Sequence, residues 1–308
     1  MKLPERVFPQ TLIINSLLLI LFYSSSFAQI KSDYKIPFTL TAQNNIVIKA
    51  ILNKKDTVSL MFHTAASSLT LTEEALSKMK SIRFERADTV KSWGGADNSS
   101  RYSKSNILQI GEKIWNNIPL WENVNSGQGT GGKFGPGLFE GKIIEINFDK
   151  NLLIVHSKLP SDIKTYERLS LIYKNEMMFA EASCKIGNER LNHLFLVHTG
   201  YSGAVLFDDQ FTAEHKLDEK LTITGEKTLK DSFGNILKTK KFVISFLSLG
   251  KTELKNVPAG FFQGAIGRQK MSIIGGDLLK HFNIIISADR STIFLKANRY
   301  VNSDYSNI

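Results

Sequence analysis

Along most of the chain apolar and polar residues alternate with a period of two, the spacing of half-buried strands. The alternation predicts strands over Tyr34–Leu40, Ile46–Leu52 and Val58–Phe62, and later over Ala180–Ile186 and Leu191–Val197. Asn44-Asn45, Gly94-Gly95, Gly111 and Gly234-Asn235 punctuate the runs, as hairpin turns require. Helical spacing is brief, at Thr72–Met79, Asp208–His215 and Asp277–Phe282. Each of these stretches follows an apolar run and opens near a Thr or Asp able to cap a first turn. The chain therefore reads as all-β with minor helix.

The pattern also occurs twice. Phe62-His63-Thr64-Ala65-Ala66-Ser67 returns as Val197-His198-Thr199-Gly200-Tyr201-Ser202, 135 residues on. Ile110-Gly111 with Asn117-Ile118-Pro119 returns as Leu249-Gly250 with Asn256-Val257-Pro258, at an offset of 139. Ser92-Trp93-Gly94 returns as Ser232-Phe233-Gly234, and the run from Ile144 to Val155 as Ile284 to Leu295, both at 140. Four matches in one order at a nearly constant offset mark a duplication. The polar stretch Ser157–Arg168, with Pro160, joins the copies. The expected organisation is thus 1–28, 29–156, a linker at 157–168, and 169–308.

The first of those segments follows a different rule. Lys2 and Arg6 precede a short apolar stretch, Leu12–Tyr23, and Ser26-Phe27-Ala28 supplies a small-x-small cleavage pattern. The stretch falls short of the roughly 20 apolar residues a membrane span needs. It reads as a signal peptide, so the mature chain is expected in a periplasm or outside the cell, with no membrane association after its removal.

Composition narrows the function classes. With 42% hydrophobic and 22% charged residues the chain is ordinary globular material. The net charge of +10 is scattered, with its densest cluster at Lys238–Lys241, and no stripe of Lys and Arg interleaved with aromatics supports nucleic-acid binding. A single cysteine, Cys184, excludes an intramolecular disulfide, and its place in an apolar strand makes it a core residue.

The two strand–His-Thr-(Ala/Gly) motifs resemble the Asp-Thr-Gly signatures of pepsin-like and retropepsin-like aspartic peptidases, here of a bacterial, secreted type. Ile273-Ile274-Gly275-Gly276-Asp277-Leu278-Leu279-Lys280-His281-Phe282 is similar to the strand and helix near the end of those enzymes, and Phe134-Gly135-Pro136-Gly137-Leu138-Phe139 is its weaker counterpart in the first copy. The resemblance, which runs from about Ile36 to Lys296, implies a bilobal acid-protease-like fold. Two homologous β-lobes would flank a cleft that holds an extended peptide, with both signature loops at its floor. It places His63 and His198 where the family carries its catalytic aspartates. Thr64 and Thr199 match the residues that tie the loops to the opposite lobe, and Gly200 the signature glycine, which is Ala65 in the first copy. Trp93-Gly94 falls where the first-lobe flap belongs, and Trp93, Gly94 and Tyr201 are the expected substrate contacts. No cofactor is implied, and the expected state is a monomer.

Two histidines change the chemistry that the resemblance implies. Facing carboxylates share a proton and bracket a water, because like charges a few ångströms apart cannot both ionise. An imidazole has no second oxygen for the water, and its ring tends to fill the water's place. Crowding also pushes the pair toward its neutral form. Two functions stay open: a non-catalytic peptide-binding cleft, or a hydrolase in which His63 and His198 act as general base and acid. A metal site is disfavoured, since zinc wants three or four ligands and His193, five residues before His198 on one strand, should face the other way. Asp208-Asp209 and Asp277 read as helix-end residues, and Asp277 as a cap. His156, His215 and His281 read as surface or linker residues, and Ser67 and Ser202 lack a His-Asp partner pattern.

Overall fold

The computed structural model describes residues 33–91, 97–127, 129–262 and 270–306. The expected signal segment, Trp93 and Gly94 lie outside the described residues.

The first copy runs through β1 (Tyr34–Pro37), β2 (Thr39–Leu40), β3 (Ile46–Leu52), β4 (Asp56–Phe62), β5 (Leu69–Thr72), β6 (Arg86–Lys91), β7 (Asp97–Ile110), β8 (Lys113–Asn123) and β9 (Gly132–Phe134). It closes with β10 (Ile143–Asn147) and β11 (Leu152–His156). The second copy opens with β12 (Glu167–Lys174), β13 (Met177–Ile186), β14 (Glu189–His198), β15 (Val205–Phe207), β16 (Gly225–Lys230) and β17 (Ile236–Leu249). It continues with β18 (Thr252–Phe262), β19 (Ser272–Gly275), β20 (Phe282–Ile286) and β21 (Thr292–Ala297). Short helices follow β5 (α1, Glu73–Ser77), β15 (α2, Asp209–Glu214, then α3, Leu217–Lys220) and β19 (α4, Gly276–Leu279). Thr72 caps α1 by accepting the Ala75 N–H, and Asp208 caps α2 by accepting the Phe211 N–H.

Sheet topology reproduces the duplication strand by strand. The first lobe has the order β3-β4-β9-β5-β8-β7-β6, and the second β13-β14-β19-β15-β18-β17-β16. Strand n of the first lobe therefore corresponds to strand n+10 of the second. Even the irregularities repeat: Asn117 and Asn256 both take positive φ, 57° and 50°, a conformation Asn tolerates better than most side chains. The copies join through a shared platform, β1-β11-β10-β20-β21-β12. At its centre β10 pairs antiparallel with β20, Ile144 opposite Ile286 and Ile146 opposite Ile284. Ile144 and Ile284 are equivalent, as are Ile146 and Ile286, so the pairing is that of a twofold relation. Every residue of β10 and β20 is buried, including the polar Glu145, Asn147 and Asn283.

Each lobe has its own aromatic centre. Phe62 packs on Phe134 at 5.5 Å between ring centroids, and Phe139 on Phe134 at 6.1 Å. In the second lobe Phe207 lies 5.8 Å from Phe195, 4.8 Å from Phe211 and 6.1 Å from Phe242. Burying each such ring contributes on the order of 2–3 kcal/mol, which anchors the ends of β4 and β14 just before the two histidines.

Three ionisable residues differ from the sequence reading. His156 is buried and hydrogen-bonds Glu145 across the β10–β11 hairpin at 2.8 Å. His281 is 1% exposed and stacks on Tyr305 at 4.9 Å. Asp277 does not cap: Gly275 holds the cap position of α4, and the Asp277 carboxylate instead takes the Lys280 ammonium at 2.6 Å and the Ser306 N–H at 3.0 Å. Cys184 is fully buried, as its apolar strand implies.

Candidate functional site

The site begins where β4 and β14 leave their sheets. β9 runs parallel to β4 with Phe134 opposite Phe62, and β19 runs parallel to β14 with Ile274 opposite Val197. The next residue in each case is a histidine. His63 N–H donates to the Phe134 carbonyl at 2.9 Å, and the His198 carbonyl accepts the Tyr201 N–H at 3.1 Å, turning each chain into a tight loop.

Thr64 and Thr199 lock these loops to each other. Thr64 Oγ1 donates to the Val197 carbonyl at 2.6 Å and accepts the Thr199 N–H at 3.0 Å. Thr199 Oγ1 donates to the Phe62 carbonyl at 2.9 Å and accepts the Thr64 N–H at 3.0 Å. Both threonines are 1% exposed, so four buried backbone groups that strand pairing leaves over are satisfied reciprocally across the lobe boundary.

That lock holds the two imidazoles in direct contact. Their ring centroids are 4.4 Å apart at an interplanar angle of 56°. His63 Nδ1 accepts the Ala65 N–H at 3.1 Å, which puts the proton of its neutral form on Nε2. The other side of the ring lies on Gly200: a Cβ there would stand 2.2 Å from His63 Cδ2 and 2.4 Å from Nε2. Only glycine leaves room for the ring, whereas Ala65, at the matching place in the first loop, serves through its backbone.

The pair is electrostatically neutral. His63 is held well below the usual histidine range, first by burial, then by the His198 imidazole and by Lys133. Burial, aided by Lys133, lowers His198 to about 4. Both rings stay uncharged at neutral pH, and neither is then an imidazolium able to donate a proton.

Lys133 is the charged group beside this neutral pair, and the sequence reading did not single it out. It sits on β9 opposite Met61 on one side and Thr70 on the other. Burial lowers its ammonium to about 8, partly offset by the attraction of Asp231. Its Nζ donates to Ser232 Oγ at 2.7 Å. Ser232 lies between β16 and β17, at the tip of the hairpin that corresponds to the β6–β7 hairpin of the first lobe. The tip reaches the opposite lobe by further bonds: the Ser232 carbonyl accepts the Val124 N–H at 2.9 Å and the Asn125 N–H at 2.8 Å. The second-lobe hairpin is thus latched down over the first-lobe side of the cleft.

Comparison with solved structures assigns the architecture. The chain superimposes on the crystal structure of an aspartic proteinase from Irpex lacteus with a TM-score of 0.61, over 88% of this chain and 99% of that one. The fold is that of a pepsin-like aspartic proteinase. Sequence identity over the match is 12%, so the likeness is one of fold. No protein-family model and no curated protein matches the chain.

Within this fold the remaining expected contact, Tyr201, is placed largely against its own lobe. A Cβ on Gly275 would stand 2.5 Å from Tyr201 Cδ1, so the ring lies on the bare backbone of Gly275. It belongs to an apolar cluster with Leu196, Leu206, Phe262 and Ile273, flanked by Ala65. Among the described residues no group of three or more His, Cys, Asp or Glu could hold a metal. His193 is apart from the pair, bonded to Asp208 Oδ2 at 3.0 Å and Ser272 Oγ at 2.9 Å.

Proposed function

We propose that this chain is an exported, non-catalytic member of the aspartic-peptidase type, whose inter-lobe cleft holds an extended peptide segment without cleaving it. One observation carries the reading: the residues that build the cleft floor persist, while the two groups at its centre are neutral imidazoles in ring-to-ring contact. The threonine lock, the glycine that seats His63 and the paired hairpins are the parts that shape a strand-binding groove. The shared-proton chemistry of two carboxylates has no counterpart, because the rings fill the space between the loops and hold their neutral form.

The alternative, hydrolysis by the histidine pair, needs one ring as general acid. A group lowered to about 4 is deprotonated wherever its partner could serve as a base near neutrality. Incubating the mature protein with a diverse peptide mixture from about pH 3 to 8 spans carboxylate and imidazole titration. Retained peptides without hydrolysis products are expected. Products that vanish in His63→Ala or His198→Ala would replace this reading with the hydrolase.

A further inference from the structure

The duplication makes the two halves of the cleft comparable residue by residue, and they differ in chemistry. β9 and β19 correspond, with Phe134 opposite Phe62 and Ile274 opposite Val197. Lys133 therefore occupies the place of Ile273. Thr70, opposite Lys133, occupies that of Leu206, opposite Ile273. Asn123, at the end of β8, corresponds to Phe262 at the end of β18. In the second lobe these positions, Ile273, Leu206 and Phe262, form one apolar cluster beside Tyr201. In the first lobe the same three positions carry an ammonium, a hydroxyl and a carboxamide.

The polar set is built, and it is incomplete. Asn123 Nδ2 donates to Thr70 Oγ1 at 3.1 Å, which fixes the amide beside Lys133's neighbour. Asn123 is 3% exposed, and its Oδ1 has no hydrogen-bond partner among the described residues. A buried acceptor left in this way is a cost that a bound donor would relieve. Lys133 is partly buried beside two neutral rings, and the carboxylate that attracts it, Asp231, is engaged in its own turn, where it accepts the N–H groups of Phe233 and Asn235. Its bond to Ser232 Oγ is with the hairpin tip, a neutral hydroxyl standing where a charged acceptor would bind more strongly.

We propose that the first-lobe half of the cleft is a carboxylate-recognition subsite, in which Lys133 takes the side chain of an aspartate or glutamate of the bound segment and Asn123 Oδ1 accepts an adjacent backbone N–H. The carboxylate displaces Ser232 Oγ from Lys133, while the Ser232 carbonyl keeps its bonds to the Val124 and Asn125 N–H groups. The opposite half offers no such charge: Leu206, Phe262 and Ile273 are buried there in an apolar cluster. This proposal rests on the peptide-cleft reading above and specifies what that cleft selects.

The test uses immobilised mature protein and three dodecapeptide libraries, random except for a central Glu, Gln or Lys, in about 50 mM salt, where surface charge is little screened. The Glu library should be retained about tenfold over the Gln library, the effect expected of one charge-assisted hydrogen bond, and the Lys library least. Lys133→Met should bring Glu and Gln retention together, and Lys133→Arg should keep them apart. Equal retention of Glu and Gln by the wild-type protein, or a preference that survives Lys133→Met, overturns the subsite and leaves the cleft reading standing. Retention of none of the three libraries overturns both. The wild-type comparison decides the matter even if a variant does not fold.

Discussion

The His63 ring lies so close to Gly200 that any side chain there collides with it. Gly200→Ala should lower unfolding free energy by about 1–3 kcal/mol, the cost of overpacking. In a His63→Ala background that cost should largely disappear, a coupling that urea unfolding of the four proteins in the cycle reads directly. Titration gives a second expectation. His198 is lowered to about 4, against 6.5 for an ordinary histidine, and His63 moves the same way. As pH falls from 6.5 toward 4 the unfolded chain takes up protons that the folded one refuses. Stability is therefore full above 6.5 and declines through that window, by on the order of 2–3 kcal/mol for one such ring. His198→Gln should flatten the decline in urea unfolding measured between pH 4 and 7. Lys133 behaves in the same sense at higher pH. Its folded ammonium is lowered to about 8 from 10.5, so folded protein sheds its proton first and stability rises between those values. Lys133→Met should remove that rise.

The loops and hairpins around these residues depend on bonds between elements. Thr64→Val keeps shape but leaves the Val197 carbonyl and the Thr199 N–H without their partner. Two buried backbone groups left so cost about 2–5 kcal/mol together, and thermal unfolding should fall accordingly. The latched hairpin makes a separate prediction. Asp231 organises its tip, with Oδ1 accepting the Phe233 and Asn235 N–H groups at 2.9 and 3.0 Å. Asp231→Ala should loosen the tip and speed hydrogen exchange at Val124 and Asn125, whose N–H groups it covers. At this scale the strands and short helices were legible in the sequence, because β3 and β13 alternate and Thr72 and Asp208 sit where helices start. The central histidines stood out because the repeat marks them twice. Lys133 did not, since a lysine between Gly132 and Phe134 reads as a short strand's polar face until the strand registers of the two lobes set it in the place of Ile273. His156 and His281 were misread because their partners, Glu145 and Tyr305, come from other segments that no local pattern links to them.

At the scale of the molecule, duplication explains both what is kept and what has diverged. The β10–β20 pairing fixes the two lobes in a twofold relation, and the threonine lock repeats it at the cleft floor. Within that symmetric frame the two cleft walls have separated into a polar and an apolar half. The frame needs only that the central side chains fit, and two imidazoles fit in tilted contact where a shared proton and water would otherwise operate. The proposed groove, one that binds and does not cut, rests on this. Its most direct test is a single-turnover experiment: protein in excess over a retained glutamate-containing dodecapeptide, held at pH 4, 5.5 and 7 and followed by mass spectrometry. The peptide should be recovered bound and intact at every pH. Hydrolysis by the wild-type protein that is lost in both His63→Ala and His198→Ala would contradict the account.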